Sequence, residues 1–398
     1  MINNFCKELG NSPSVIRELF EYGKKRKAEI GDENVFDFSI GNPNVAPPQI
    51  VTDALINLLQ TKEPTSLHGY TSAVGDKSVR ECISNHLNAT YNAQTSADLI
   101  YLTAGAAAAL TSSLHAVLNC GDEVIVFAPH FPEYKVFIEK AGGILKVVNC
   151  LQPNFMPDYV EFEKSITKNT KCVIINSPNN PTGAVYKEED IKKICDILEK
   201  KQKEFNSNIH LISDEPYREL VYDKIEYPFI TNFYKNSIVC YSFSKSLSLP
   251  GERIGYALVN PACKNAKEVF CAICGGARSL GYICAPALFQ YLLPYCVGKT
   301  ADISIYKKNR DILYKALTEL GYQVVKPDGA FYLFVQALEH DANKFSQNAK
   351  NFELLLVPSS SFGYEGYVRI SYCVSTTQIE KSLPAFKKLF DFYNKTNL

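Results

Sequence analysis

Apolar runs of four to six residues recur along the chain as far as residue 259, and longer amphipathic segments separate most of them. The runs lie at 99–102, 123–127, 144–148, 172–175, 210–213, 238–241 and 254–259. Each has the length and composition of a buried strand, whereas 49–60, 77–91 and 188–204 are predicted helices. Apolar strands separated by helices predict an α/β protein with a mainly parallel sheet that helices cover on both faces.

The pattern changes after Pro261, where helices are predicted at 264–275, 286–295 and 301–320. Strand-like runs at 321–325, 329–334, 354–357 and 367–372 follow, and a closing helix is predicted at 377–393. This succession predicts a small second sheet and therefore a second domain. At the other end of the chain, Ser12 and Pro13 are typical of a helix start, and the helix should end near Gly31 before a short strand at 35–40.

The composition of the chain mainly argues against certain classes of protein. The chain has 398 residues, of which 46% are hydrophobic, and its 42 basic residues balance 42 acidic ones. The neutral balance argues against a nucleic-acid partner, and no run approaches the roughly 18 apolar residues that a membrane span needs. The first residues also lack a secretory signal pattern. We therefore expect a cytoplasmic protein with neither nucleic-acid nor membrane partners.

The 13 cysteines are scattered, and several lie in or beside apolar runs, as Cys120, Cys172 and Cys240 do. An odd number without regular spacing is typical of reduced core residues rather than a disulfide framework. Cys271 and Cys274 form the only C-x-x-C pair. No second pair accompanies them and their setting is helical, so no metal site is predicted.

Candidate chemistry is densest in the segment Tyr241-Ser-Phe-Ser-Lys-Ser-Leu-Ser-Leu-Pro-Gly-Glu-Arg253, which follows an apolar strand. A positioned lysine such as Lys245 can form a Schiff base with a carbonyl, and serines and an arginine can bind a phosphate. Pyridoxal 5'-phosphate is a phosphorylated aldehyde that fits both features. The alternative for this segment alone is a surface lysine, with Arg253 paired to a nearby acid.

Two further motifs lie at the ends of predicted strands. Ser177-Pro-Asn-Asn-Pro-Thr-Gly183 is dense in turn residues, and Asp214-Glu-Pro-Tyr217 leads from a strand into a polar turn. With Ser-x-Ser-Lys and an arginine eight positions later, in this order, the chain resembles the class I/II pyridoxal-phosphate-dependent aminotransferases, which have the aspartate aminotransferase-like fold. The resemblance covers almost the whole length. The ordered combination is specific, although each motif alone recurs by chance.

The resemblance implies a domain division. The large cofactor-binding domain would cover 46–290, and the smaller α+β domain would combine 1–45 with 291–398. It also implies roles around the cofactor ring. Lys245 would hold pyridoxal phosphate and then act as base and acid, Asp214 would keep the pyridine nitrogen protonated, and Tyr217 and Asn180 would bind the phenolic oxygen.

The phosphate would be held by Ser242, Arg253 and the backbone N–H groups of Ala106 and Ala107, with Ser244 as an addition. The two alanines open a predicted helix, and a helix start binds anions through unpaired N–H groups and the positive end of the helix dipole. Many relatives carry a hydroxyl or glutamine here, so one side-chain contact to the phosphate is missing from this chain.

Aromatic residues complete the implied cofactor site. Phe131 would stack on the pyridine ring, with Tyr134 as the competing candidate. Tyr70 would reach across a homodimer interface to the partner's cofactor phosphate, so that two protomers share active sites. The alternative for Tyr70 is a tyrosine at the rim that only packs.

For the substrate, the resemblance implies that Gly41 places backbone against the α-carboxylate and that Arg369 pairs with it in bidentate fashion. Arg278 lies near where aspartate-specific relatives place a second arginine, and a structural arginine at a helix end is the alternative reading.

The expected activity is amino-group exchange between an L-amino acid and a 2-oxo acid, with aspartate or a broad range of amino acids as donor. A carbon–sulfur lyase on the same fold is the alternative, because cofactor and lysine serve both reactions. A cofactor-sensing regulator would need an appended DNA-binding module, for which the residues before the predicted strand at 35–40 leave no room. A nicotinamide-binding Rossmann domain is disfavoured, because no Gly-x-Gly-x-x-Gly follows the strands.

Overall fold

The computed structural model describes residues 2–11 and 14–396. The predicted cap Ser12 and first-turn Pro13 lie outside these residues. The helix they were expected to open begins at Val15, and the hydroxyl of Ser14 accepts a hydrogen bond from the Arg17 N–H at 3.4 Å. A serine before the first helical residue satisfies an N–H group that the helix itself leaves free.

The helices have the following bounds: α1 (Asn4–Asn11), α2 (Val15–Ile30), α3 (Gln49–Thr61), α4 (Pro64–His68), α5 (Lys77–Tyr91), α6 (Ala106–Val117), α7 (Glu133–Lys140), α8 (Tyr159–Ser165), α9 (Glu188–Phe205), α10 (Phe243–Ser246), α11 (Ala266–Ser279), α12 (Ala287–Cys296), α13 (Ile303–Leu320), α14 (Ala342–Ala349) and α15 (Thr376–Thr396). The strands are β1 (Phe36–Asp37), β2 (Ile100–Thr103), β3 (Glu123–Ala128), β4 (Ile144–Leu151), β5 (Met156–Pro157), β6 (Thr170–Asn176), β7 (His210–Asp214), β8 (Ser237–Ser242), β9 (Gly255–Val259), β10 (Val324–Val325), β11 (Tyr332–Gln336), β12 (Leu354–Leu355), β13 (Val357–Pro358) and β14 (Tyr367–Ser371).

The large sheet has eight strands in the order β2-β9-β8-β7-β6-β3-β4-β5. Its central pairs, from β4 through β3, β6 and β7 to β8, are parallel, whereas β9 runs antiparallel to both neighbours. The predicted α/β class with a mainly parallel sheet is confirmed.

Helices cover both faces of this sheet because successive strand residues point to opposite sides. On β3, Val124 and Val126 belong to one apolar cluster with residues of α6 and α11. Ile125 and Phe127 belong to a second cluster with residues of α5, α9 and α12. Burial on both sides explains why these strands read as continuous apolar runs.

A second sheet of four antiparallel strands, in the order β10-β11-β14-β13, follows in the C-terminal part. The run predicted as one strand at 354–357 is divided, since Leu354–Leu355 pair in parallel with β1 while Val357–Pro358 pair with β14. The N-terminal segment lies here as well, and the Ser371 N–H donates to the Phe38 carbonyl at 3.0 Å. The division of domains at residues 45 and 290 stays a prediction.

Two local features differ from the sequence prediction. Helix α4 was not predicted, and its cap is the carboxylate of Glu63. Cys120 is exposed, so it is not a core residue, whereas Cys172 and Cys240 are buried and all 13 cysteines are free thiols. Among the described residues, no helix is both long and apolar enough to cross a membrane.

Candidate active site

A cavity of about 300 Å³ lies beyond the carboxyl ends of β6, β7 and β8, with Tyr332 and Arg369 of the second sheet on its opposite wall. Open α/β sheets bind ligands at this edge. The structure brings twelve of the predicted site residues together around it: Gly41, Ala106, Ala107, Phe131, Asn180, Asp214, Tyr217, Ser242, Ser244, Lys245, Arg253 and Arg369. These residues come from seven separate stretches of sequence, so their convergence depends on the fold.

Lys245 lies in α10, the short helix that follows β8. Its Nζ donates a hydrogen bond to the Gly41 carbonyl at 2.6 Å and lies 5.5 Å from the centre of the Phe331 ring. Burial lowers the pKa of Lys245 to about 8, and the charges of Arg253 and Arg369 act in the same direction. A lysine amine with this pKa is available in neutral form near physiological pH, as a nucleophile or base requires.

Asp214 is the last residue of β7 and is buried. Its Oδ2 accepts a hydrogen bond from the Tyr134 hydroxyl at 2.5 Å, and its Oδ1 has no partner among the described residues. Burial raises the pKa of Asp214 to about 7, although the Tyr134 hydroxyl opposes this shift. An unpaired buried carboxylate oxygen is costly, and a cationic N–H donor in the cavity would compensate it.

Tyr134 is therefore placed behind Asp214 and does not line the cavity. Phe131, the other candidate for stacking, does line it and meets the Tyr134 ring edge to face, with ring centres 5.6 Å apart. Phe131 remains the predicted stacking residue.

Asn176 was not identified from the sequence. Its side-chain amide donates to the Asp214 carbonyl at 2.9 Å, and its Oδ1 accepts from the Asn180 N–H at 2.8 Å. Asn176 thus fixes the end of β7 relative to the 177–183 loop. Its position at the end of the strand Thr170–Asn176, just before the loop motif, is the signal that would have identified it.

One end of the cavity is rich in hydroxyl and N–H groups. The hydroxyls of Ser242 and Ser244 lie 2.7 Å apart, and Arg253 Nη1 donates to Ser244 Oγ at 3.5 Å. Gly105, with a φ of 82°, precedes α6, and a Cβ there would lie 2.8 Å from Arg253 Nη2. The glycine leaves room for the guanidinium beside the free N–H groups that open α6. We call these residues, with Ala106 and Ala107, the anion end.

At the opposite end, Arg369 of β14 is buried, with 2% of its surface exposed. Its Nη1 donates to Asn180 Oδ1 at 3.0 Å, its Nη2 donates to the Ser39 carbonyl, and its Nε has no partner among the described residues. Burial lowers the pKa of Arg369. In this structure Asn180 contacts the arginine, in addition to the role predicted for it at a phenolic oxygen.

Tyr217 and Tyr332 share a hydrogen bond of 2.7 Å between their hydroxyls, and the Arg369 guanidinium lies 4.7 Å from the centre of the Tyr332 ring. Tyr332 was not identified from the sequence, where it is one aromatic residue in an apolar strand. Ile16 and Ile40 also line the cavity, and nothing in the sequence distinguishes them from other apolar residues. We call Gly41, Asn180, Tyr332 and Arg369 the second-sheet end.

Two predicted residues lie outside this cavity. Tyr70 follows α4 and is 99% exposed. Arg278 is exposed near the end of α11. Neither lines this cavity.

The fold, with a buried lysine amine in the same cavity as a carboxylate whose Oδ1 has no partner among the described residues, defines an enzyme of the aspartate aminotransferase fold class. The family model for class I and II aminotransferases matches residues 33–386, and the chain belongs to this family. The chain is thus an aminotransferase.

Similar proteins agree with this assignment. A probable aspartate aminotransferase of Methanocaldococcus jannaschii is 32% identical over 98% of this chain and 100% of its own length. A crystal structure of an amino transferase from Eubacterium rectale is 52% identical, with a TM-score of 0.97 over 99% of each chain. The aspartate aminotransferase structure from Thermotoga maritima is 30% identical, with a TM-score of 0.85 over 97% of this chain and 99% of the other.

Proposed function

We propose that the chain exchanges an amino group between an L-amino acid and a 2-oxo acid, with pyridoxal 5'-phosphate held in the cavity. Dependence on this cofactor is general in the family. The observation that carries the proposal is the unpaired Oδ1 of Asp214 in the same cavity as the Lys245 amine. A protonated pyridine nitrogen is the donor that this oxygen lacks.

The residues present fit the cofactor at each of its polar groups. Ser242, Ser244, Arg253 and the N–H groups of Ala106 and Ala107 would bind the phosphate. Asp214 would bind the ring nitrogen. Phe131 would stack on the ring, while Tyr217 and Asn180 would bind the phenolic oxygen. When bound, pyridoxal phosphate supplies an aldehyde to carry the amino group and a ring that withdraws electrons from the substrate α-carbon.

The chain's own residues would then move the proton. The Lys245 amine, with its pKa lowered to about 8, would be suited to accept a proton from the substrate α-carbon and to deliver it to the former aldehyde carbon of the cofactor. Asp214 keeps a proton at the ring nitrogen, and its ionised form is stabilised by the Tyr134 hydroxyl. Arg369 would hold the α-carboxylate as a bidentate pair, already oriented by Asn180 and Ser39.

Aspartate is the first donor to test, because the relatives at about 30% identity include proteins named aspartate aminotransferases. A panel of amino acids with 2-oxoglutarate should be monitored for keto-acid exchange and, in parallel, for release of pyruvate and ammonia. We expect exchange. Release of pyruvate and ammonia without exchange would support the carbon–sulfur lyase instead.

We also propose a homodimer with shared active sites, in which Tyr70 reaches the partner's phosphate. Its support is the full exposure of Tyr70, which follows α4, and the presence of exposed apolar side chains on α3 and α12, which both pack against α4. Ile56 and Leu59 of α3 and Tyr295 of α12 lie on two helices that pack together. A large tyrosine held in solvent gains nothing from burial, so a second copy of the chain is the occupant we expect.

The shared site is tested by mixing Tyr70→Phe and Lys245→Ala proteins, each impaired alone. A hybrid dimer contains one site free of both changes, so activity should return on mixing after subunit exchange. Mixing Lys245→Ala with itself is the control. Absence of recovery in a verified hybrid dimer would refute the shared site.

The division into a large domain at 46–290 and a small domain made of 1–45 and 291–398 also belongs to the proposal. It is supported by the pairing of β1 with β12 and by the Ser371 to Phe38 hydrogen bond. A cytoplasmic location remains a prediction.

A further inference from the structure

Tyr332 touches two of the groups to which the proposed function gives a role, Tyr217 and Arg369. It lies on β11, is 2% exposed, and lines the cavity. Because Tyr332 pairs with Ser371 and Phe334 pairs with Arg369, Tyr332 and Arg369 are diagonal neighbours on one face of the antiparallel sheet. Their side chains meet there, with the guanidinium over the ring.

Among the described residues, the hydroxyl of Tyr332 has a single hydrogen-bond partner, the Tyr217 hydroxyl at 2.7 Å, and the Tyr217 hydroxyl bonds only to that of Tyr332. Each hydroxyl has one proton to donate and can also accept. If the Tyr332 proton lies between the two oxygens, the Tyr217 proton is free to be donated into the cavity.

Gly41 shows how closely the Tyr332 hydroxyl is enclosed. A Cβ at Gly41 would lie 2.1 Å from the Tyr332 oxygen, which no real Cβ tolerates. The same glycine accepts the hydrogen bond from Lys245 through its carbonyl. The absence of a side chain at this position therefore lets Tyr332 reach Tyr217 beside the reactive lysine.

We propose that Tyr332 is a positioning residue with two roles, one for its hydroxyl and one for its ring. Its hydroxyl donates to Tyr217 and so directs the Tyr217 proton to the phenolic oxygen of the cofactor, while its ring supports the guanidinium of Arg369 against the substrate carboxylate. This inference rests on the proposed function, because the role of Tyr217 belongs to it.

The hydroxyl part is tested by the visible absorbance of the cofactor-loaded protein as a function of pH. A donated hydrogen bond stabilises the anionic form of the phenolic oxygen, so weakening it should raise the pH midpoint of the absorbance change. Tyr332→Phe should raise it by a few tenths to about one pH unit, the size of an ordinary hydrogen bond. Tyr234→Phe is the matched control, because the Tyr234 hydroxyl is also buried and donates to a backbone carbonyl away from the cavity.

A double-mutant cycle separates action through Tyr217 from a general structural effect. If Tyr332 acts through Tyr217, the shift caused by Tyr332→Phe should disappear in a Tyr217→Phe background. An unshifted midpoint in the single variant, or an equal shift in both backgrounds, would overturn the inference. A parent protein without visible absorbance after addition of pyridoxal phosphate would overturn the proposed function and this inference with it.

The ring part is tested by comparing two substitutions with thermal melts to check folding. Tyr332→Phe keeps the ring and should lower kcat while KM for the amino donor stays within about twofold. Tyr332→Leu removes the ring as well and should raise KM further, by about fivefold or more, as expected for a lost cation–π contact at a buried site. Equal KM values in the two variants would show that the ring does not support Arg369.

Discussion

The anion end and the second-sheet end of the cavity each present an arginine, but they are built differently. At the anion end, Arg253 is exposed and its side-chain partners are Ser244, Pro250 and Ala104. Two of these lie within nine positions of it. At the second-sheet end, Arg369 is buried and its partners Asn180 and Ser39 lie 189 and 330 positions away.

The difference has an energetic consequence. An exposed guanidinium is already solvated, so a bound anion gains only a modest interaction from it. The desolvation of a buried guanidinium takes place on folding, and protein acceptors hold it in place before any ligand binds. The anion end can therefore lose its arginine and still retain the helix start and the serines, whereas the second-sheet end depends on one cation.

Lys245 lies where the two ends meet, and its removal should have the largest effect. Lys245→Ala should reduce turnover by at least about 10²–10⁴-fold, the range for a lost acid–base group, while the phosphate contacts still hold cofactor without a covalent bond. Lys267→Ala, at an exposed position on α11, is the control. Borohydride treatment of the parent followed by peptide mass spectrometry should locate the cofactor on Lys245. Labelling of another lysine would refute the assignment.

Asp214 lines the same cavity as both ends. Asp214→Asn keeps the shape but loses the charge that would face the ring nitrogen of the proposed cofactor, and turnover should fall by about 10²–10³-fold, as for other preorganised electrostatic contacts. Single-turnover kinetics should show that the loss is in the proton-transfer step. Turnover near that of the parent would mean that Asp214 only ends a strand.

Asp214→Asn should also change the stability of the cofactor-free protein in a pH-dependent way. Burial raises the pKa of Asp214 from 3.8 to about 7, so the folded state binds this proton more tightly than the unfolded state does. The contribution of Asp214 to the free energy of unfolding is fully present below pH 3.8, the ordinary pKa, and is lost as the pH rises through about 7, the pKa in the folded state. Relative to the parent, Asp214→Asn should therefore gain stability in urea unfolding between about pH 4 and about pH 7. A constant difference across this range would contradict the buried, unpaired carboxyl.

The two ends also differ in how much of them the sequence predicts. The anion end was found from one stretch, Ser242 to Arg253, together with the helix start at Ala106, because a strand end and a helix start fix neighbouring residues locally. At the second-sheet end, the residues predicted from the sequence were Gly41, Asn180 and Arg369, each of which was implied by the family resemblance. Tyr332 acts through tertiary contacts that no local pattern encodes, whereas Asn176 could have been identified from its position at a strand end just before the loop motif.

The fold shows the same division. The helix predicted at 77–91 has the bounds of α5, Lys77–Tyr91, since helical periodicity is a local property. The run at 354–357 was predicted as one strand but pairs with two different sheets, and that choice depends on β1, more than 300 residues earlier in the chain. Partner choice between strands is not contained in the apolar pattern of either strand.

Arg369→Lys tests the dependence of the second-sheet end on its single buried cation. Lysine cannot form the bidentate pair, so KM should rise by about 10–100-fold for all amino donors alike, the size of a lost hydrogen bond to a charged group. Affinity for pyridoxal phosphate should stay unchanged. Arg253→Lys is the matched control at the anion end and should do the reverse, weakening cofactor binding while KM changes little. If both variants altered the same parameter, the two ends would not be functionally separate.

Arg278→Leu should have the smallest effect. The side chain is exposed near the end of α11 and does not line the cavity, so it could meet a substrate only in a partner's site of the proposed homodimer. Most surface substitutions change free energies by no more than about 0.5 kcal/mol, which corresponds to about twofold in a rate or affinity. We therefore expect kcat/KM for aspartate and for an aromatic donor to change together and by less than this amount. The measurement compares kcat/KM for the two donors, because a dicarboxylate such as aspartate needs a second cation and an aromatic side chain does not. A selective loss with aspartate would place Arg278 in the partner's cavity. It would also extend the second-sheet end across the dimer, with a second arginine for the side-chain carboxylate.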